Sequence, residues 1–206
     1  NTDKEKIAGF VGDLTNMEAS YIFKEFFERT IDTKNYESRS SEMFIDSSKR
    51  ENYLFNSMIN GIEESDLILL IGTNPRFEAT MLNARIRKAY LNSKVKIISL
   101  NDVGDLTYPY HILDGKTKTI KNIIENNNKV TKDIIEAQKP IVIFGESFLK
   151  SKSAEFLFSS FKNFLLSNNK FNDDWNPLNF LPSDAATVGS LDLDIIDPKN
   201  ELIKNL

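Results

Sequence analysis

Short apolar runs that end near a glycine and give way to helical periodicity recur along this chain. Leu67 to Ile71 is an uninterrupted apolar run of strand length, the pattern of a strand covered on both faces in a parallel α/β sheet. Gly72 then relieves the backbone and Pro75 suits a first helical turn, while Leu82, Ile86, Ala89 and Tyr90 recur at helical spacing. The same order appears three times: residues 7–12 lead into 15–29, 67–72 into 77–91, and 141–145 into 153–166. Alternating strands and helices predict an α/β fold, a parallel sheet flanked by helices.

Between these units, residues 95–100 predict a further strand and 109–113 a short one. Residues 116–126 and 132–137 are helical in character, separated by Asn126, Asn127 and Asn128, whose side chains compete for backbone hydrogen bonds. That break, or Gln138-Lys139-Pro140 just after it, is the expected boundary between a first α/β lobe, 1–137, and part of a second, 138–206. The stretch 38–48 is polar and serine-rich, with Met43, Phe44 and Ile45 expected as an embedded strand. Residues 168–176 form another polar connection, and the tail from 197 carries Pro198 and charges. Thr15 and Glu18 have capping-box spacing, and the helix after them is expected to bury Ile22, Phe23, Phe26 and Phe27. In the third helix Leu157, Phe161, Phe164 and Leu165 make the buried stripe, which leaves Phe156 or Phe158 near a surface.

Composition narrows the function classes. With 206 residues, 40% of them hydrophobic, the chain can bury a substantial core as one large domain or two small lobes. No apolar stretch approaches the ~20 residues that span a bilayer, and the start NTDKEKIAGF lacks the apolar core of a secretory signal. Direct membrane insertion is therefore not expected. Net charge is −4 with both signs dispersed, so the footprint of a nucleic-acid binder is missing. Cysteine is absent, which removes disulfides, thiolate catalysis and iron–sulfur ligation of the usual kind.

The run DLILLIGTNPRFEATMLNARIRKAY, with KVKIISLNDVGDLTYPYHIL after it, resembles the family of the large, 75 kDa iron–sulfur subunit of respiratory complex I, the NADH-quinone oxidoreductase. IAGFVGDLTNMEA looks like that family's G-D-L-x-x-x-E-A segment, and DWNPLNFLPSDAATVGSLDLDII looks like its W-x-x-L-N…V-G-x-L-D segment, so the resemblance covers residues 7–196. It implies the Rossmann-like fold of molybdopterin oxidoreductase domains. It also implies a place in an enzyme that passes electrons from NADH to quinone through iron–sulfur clusters, coupled to proton translocation. Those clusters sit on cysteine-rich N-terminal domains of the family. The chain is thus expected to be a fragment of a larger subunit, continued by further strands on both sides. It would be a structural and assembly domain with no redox centre or cofactor of its own. Its partners would be other peripheral-arm subunits, on the cytoplasmic face of a bacterial inner membrane or the matrix side of a mitochondrion.

The candidate site is the turn Gly72, Thr73, Asn74 and Pro75, because free backbone N–H groups where a helix begins favour an anion such as a diphosphate. In molybdopterin enzymes the corresponding turn contacts the nucleotide part of the cofactor. There an acidic residue after the next strand holds the ribose, in a pattern like D-P-R, whereas Leu100, Asn101 and Asp102 stand here and leucine accepts no hydroxyl. The turn is therefore expected to be vestigial. No G-x-G-x-x-G occurs among the 8 glycines, which argues against NADH.

The remaining polar features favour structural roles. His111 is the only histidine, which excludes a multi-histidine metal site, and a packed or surface position is expected for it. Glu63, Glu64, Ser65 and Asp66 suit a helix end. Asp192, Asp194 and Asp197 alternate as around a cation but lack an EF-hand pattern, and Trp175 suits the anchoring of a connection. No catalytic or metal residue is assigned. Two other readings stay open: a molybdoenzyme fragment that still binds the nucleotide through Gly72 to Pro75, and a free-standing α/β binding module.

Overall fold

In the computed structural model, which describes residues 2–12, 14–38 and 43–197, the apolar runs become the strands of a five-stranded parallel sheet. In chain order the elements begin with β1 (Gly9–Phe10), α1 (Met17–Phe26), β2 (Tyr36–Glu37), α2 (Met58–Gly61) and β3 (Leu67–Ile71). Next come α3 (Pro75–Glu78), α4 (Thr80–Ser93), β4 (Lys96–Ser99), β5 (His111–Ile112), α5 (Thr117–Ile124) and α6 (Lys129–Glu136). The series closes with β6 (Pro140–Gly145), α7 (Glu146–Leu149), α8 (Ala154–Ser167), β7 (Leu178–Leu181) and α9 (Thr187–Asp192). The sheet order is β5-β4-β3-β6-β7, so the chain winds outward in one direction from β3 and in the other from β6.

The period of two along a strand decides the layers. Leu67, Leu69 and Ile71 face one side, where Val142 and Phe144 join them against α5, α6 and α8. Ile68 and Leu70 face the other, with Ile141 and Ile143, against Leu82, Ile86 and Ala89 of α4. Burial on both faces explains why β3 and β6 read as continuous apolar runs. Phe144 is fully buried at the centre of the first layer, its ring 5.2 Å from Phe148, 5.1 Å from Phe158 and 5.8 Å from Phe161. Each such pair adds about 0.5–1.5 kcal/mol beyond its buried area.

The division expected at 137/138 falls immediately before β6, which lies beside β3 over five paired positions from Leu67↔Pro140 to Ile71↔Phe144. Residues on both sides of it share one sheet and one hydrophobic cluster. Two sequence features hold this junction. Asp66 accepts from the N–H groups of Gln138 at 2.6 Å and Lys139 at 3.0 Å, and the Trp175 indole N–H donates to the Pro140 carbonyl at 2.9 Å.

Several local expectations change near the amino terminus. The strand expected over 7–12 shrinks to β1, which pairs with β2 in a separate two-stranded parallel sheet. The cap of α1 is Asn16, whose side chain accepts from the Ala19 N–H at 2.8 Å, and not Thr15 with Glu18. Asparagine is the stronger cap of the two residue types. Of the four apolar residues expected to be buried, Phe27 is buried and Phe23 half-buried, while Ile22 is 66% and Phe26 50% exposed. Two-residue strands present only a narrow strip, which Phe23, Phe27 and Tyr36 fill.

Met43 and Ile45 are buried and the Phe44 N–H bonds to the Leu149 carbonyl at 2.9 Å, yet no strand forms there. Residues 39–42 of that stretch and 198–206 of the tail lie outside the described residues. In α8 the expected stripe is buried, Phe158 joins it against Phe144, and Phe156 is the aromatic left exposed. Among the described residues, no helix is long and apolar enough to cross a membrane.

Candidate functional site

The order of the sheet places its switch point between β3 and β6, and the crevice beyond their carboxyl ends is where open α/β sheets hold ligands. A glycine stands at each strand end here, Gly72 directly after β3 and Gly145 as the last residue of β6. Gly72 has φ +65, a conformation that costs other residues roughly 1–2 kcal/mol. A Cβ on Gly72 would lie 2.5 Å from the Phe148 backbone nitrogen, and one on Gly145 2.5 Å from the Thr73 Cβ and within contact of the Gly72 carbonyl. The two strand ends therefore touch backbone to backbone, and the Ser147 hydroxyl donates to the Gly72 carbonyl at 2.6 Å.

The expected turn follows directly. Asn74 caps α3, accepting from the Arg76 N–H at 3.2 Å, and Pro75 occupies the first helical position. The donors that would face an anion already have one. Thr73 Oγ1 donates to Glu78 Oε2 at 2.5 Å, and the Asn74 N–H donates to Glu78 Oε1 at 3.0 Å. A diphosphate brought to this turn meets a carboxylate of its own charge in place of free N–H groups, so the residues as arranged do not fit the phosphates of a molybdopterin nucleotide. The Asn74 side-chain N–H is also used, bonding the Val103 carbonyl at 2.8 Å.

The place that a ribose would take is also occupied from within. Leu100 is buried, its N–H bonded to the Leu70 carbonyl at 2.9 Å and its own carbonyl to the Gly115 N–H at 2.7 Å. Asp102 Oδ1 accepts from the Gly104 N–H at 2.9 Å and the Tyr110 hydroxyl at 3.1 Å. Arg76 bonds both the carbonyl and the carboxylate of Asp105, and the Thr107 N–H and this guanidinium hold the Asp105 carboxyl below its usual range. Burial pushes the Tyr108 phenol up, and its hydroxyl donates to Asn83 at 2.7 Å.

The other candidates are apart from this crevice. His111 is exposed on the edge strand β5. Glu63 pairs with Arg85 and Lys88, and Glu64 with Lys139, which places the acidic run in helix-end salt bridges. Asp192 accepts from Arg50 in a bidentate pair at 2.9 and 2.8 Å and from the Tyr53 hydroxyl at 3.0 Å. Among the described residues no cluster of acidic or histidine side chains has the make-up of a metal site. Trp175 is buried as an anchor.

Glu78, Ser147 and Phe148 are the site residues that sequence reasoning missed. A signal existed for Glu78: it stands one position beyond capping-box spacing from Asn74, in the run Asn74-Pro75-Arg76-Phe77-Glu78. Nothing local announces Ser147 or Phe148, because their contacts are made across the sheet.

A doubly wound parallel sheet with a glycine turn at its switch point defines an open, Rossmann-like α/β domain. The chain belongs to the molybdopterin oxidoreductase family, whose sequence model matches residues 1–205. It is similar to the NADH-ubiquinone oxidoreductase 75 kDa subunit of Reclinomonas americana, 31% identical over 217 residues that cover 98% of this chain and 31% of the relative. The mitochondrial NADH-ubiquinone oxidoreductase 78 kDa subunit of Candida albicans is 39% identical over 145 residues, 70% of this chain and 20% of the relative. An NADH-quinone oxidoreductase subunit from Rickettsia typhi is 33% identical over 189 residues, 92% of this chain and 28% of the relative. The chain spans less than a third of the length of each of these relatives.

Proposed function

We propose that this chain acts as a structural and assembly domain within a large subunit of an NADH-quinone oxidoreductase, with no redox centre of its own. The observation that carries this reading is the closed switch point: Glu78 takes the anion-binding donors of Thr73 and Asn74, and Gly72 and Gly145 meet where a ligand would lie. The lack of cysteine supports it, since iron–sulfur clusters need thiolate ligands that this sequence does not contain. Similarity to subunits of NADH-quinone and NADH-ubiquinone oxidoreductases supports the assembly. In that assembly the domain would pack against other peripheral-arm subunits, on the cytoplasmic or matrix side of the membrane, and buttress the cluster-bearing parts.

The family match over residues 1–205 favours one rival, in which the 72–75 turn still binds the nucleotide end of a molybdopterin cofactor. Isothermal titration of the chain with NADH and, separately, with guanosine monophosphate separates the two. No saturable heat is expected from either. Micromolar binding of guanosine monophosphate that is lost in Asn74→Ala would replace the structural reading with the rival.

A further inference from the structure

Residues 101–110 run from β4 to β5 as a strap across the carboxyl end of the sheet, and its two halves are held differently. The second half is anchored from inside. Leu106 is fully buried, its carbonyl accepts from Asn83 Nδ2 at 3.1 Å, and the buried Tyr108 bonds the same asparagine. The first half, Asp102 to Asp105, is exposed apart from half-buried Val103. Its bonds to other elements come from the turn: Asn74 Nδ2 to the Val103 carbonyl at 2.8 Å, and Arg76 Nη1 to the Asp105 carbonyl at 2.5 Å and carboxylate at 2.7 Å.

Between the halves the backbone is strained. Thr107 has φ +73, a left-handed conformation that a β-branched residue resists. It is kept there by its N–H bond to Asp105 Oδ1 at 2.7 Å and by Arg87, which donates to its carbonyl at 3.3 Å. Gly104, with φ +76 and nothing within 4 Å of where a Cβ would stand, gives the exposed half room to bend, and the Tyr110 hydroxyl clasps that half by accepting from the Val103 N–H at 3.2 Å and donating to the Gly104 carbonyl at 2.8 Å. Relaxation at Thr107 is opposed through Asp105, Arg76 and Asn74 on one side, through Arg87 on the other, and by the Tyr110 clasp within the strap.

Asn74 and Arg76 reach the strap from the one conformation that Glu78 imposes on the turn. Its carboxylate takes the Thr73 hydroxyl and the Asn74 N–H, and the Asn74 side chain in turn takes the Arg76 N–H. We propose that Glu78 is the catch of a conformational latch. Release of its carboxylate loosens Asn74 and Arg76 together, residues 102–105 lift as a flap about the strained Thr107, and the Gly72 turn at the switch point is uncovered.

Amide hydrogen exchange on the 206-residue chain, read residue by residue, tests this with four proteins: the natural sequence, Glu78→Ala, Glu78→Gln and Thr107→Asn. In Glu78→Ala the amides of Val103, Gly104 and Thr107 are expected to accelerate at least ~10-fold beyond any change at Leu69 and Ile98 in the sheet. Glu78→Gln keeps one accepting oxygen and falls between. Asparagine tolerates positive φ, so Thr107→Asn slows the same three amides by relieving the hinge. Equal acceleration in the strap and the sheet would mean that Glu78 only stabilises the whole domain, and would overturn the latch. So would a strap whose exchange ignores Glu78→Ala, or a Thr107→Asn protein with unchanged strap rates.

Discussion

If the switch point is closed by backbone contact between the two strand ends, a single methyl group at Gly145 should do disproportionate damage. Its φ of −95 suits any residue, so alanine there meets no conformational penalty. The cost comes from space: the new Cβ would sit 2.5 Å from the Thr73 Cβ and 2.9 Å from the Gly72 carbonyl carbon, atoms of a turn that is itself pinned by Phe148 and Ser147. Overpacking of this kind costs about 1–3 kcal/mol, and immobile neighbours put it near the upper end, about 3 kcal/mol. Gly104→Ala is the control, because it has φ +76 but nothing within 4 Å, and strain alone should cost about 1 kcal/mol. Gly72→Ala combines both penalties and should cost about 4 kcal/mol. Urea unfolding followed by Trp175 fluorescence reads the series, since that indole is the only one and is buried beside β6. With a slope of ~2 kcal/mol per molar urea, Gly145→Ala should lower the midpoint by about 1.5 M and Gly104→Ala by about 0.5 M. A Gly145→Ala midpoint at or above that of Gly104→Ala would show that the crevice has room, and the closed-site argument would fail.

Two further expectations concern the periphery. The Arg50 guanidinium, opposed in part by burial and aided by the Tyr53 hydroxyl, holds the Asp192 carboxyl below its usual range. A depressed carboxylate stabilises the fold above its unfolded value and loses that contribution as pH falls through the folded one, so Asp192→Asn should flatten the melting-temperature profile below about pH 4 and lower it at neutral pH. On α1, Ile22→Ser should change stability by less than about 0.5 kcal/mol because the side chain is 66% exposed, whereas Phe27→Ala should cost about 3–5 kcal/mol; equal losses in chemical denaturation would restore the burial expected for Ile22.

The main sheet was legible because burial on both faces leaves an unmistakable residue pattern: Leu67 to Ile71 and Ile141 to Phe144 have no polar interruption to misread. The turn at Gly72 was legible from glycine and proline alone. What the turn holds was less so, since the spacing of Glu78 from Asn74 marks it as a capping residue but not as the partner of the Thr73 hydroxyl, a contact that only folding makes. Helix α1 failed in the opposite direction. Its apolar spacing at Ile22, Phe23, Phe26 and Phe27 states that a face exists, but says nothing of how wide a surface is available to cover it. The separate β1–β2 sheet escaped notice because two-residue strands carry too little alternation to register.

The small amino-terminal sheet has a kinetic consequence. Its outward support comes from the far end of the described chain: Glu37 accepts from the Asp197 N–H, Lys24 donates to the Leu193 carbonyl, and Arg50 pairs with Asp192, across 160, 169 and 142 residues. Contacts so distant in sequence form late, because the closure entropy of the whole intervening chain must be met first. The five-stranded sheet closes over shorter spans, at most 73 residues between paired positions (Leu67 and Pro140), while β1, α1 and β2 wait with the aromatic side of α1 in water. During synthesis β1, α1 and β2 leave the ribosome before β7 and α9, yet they are among the last elements of this domain to find their places.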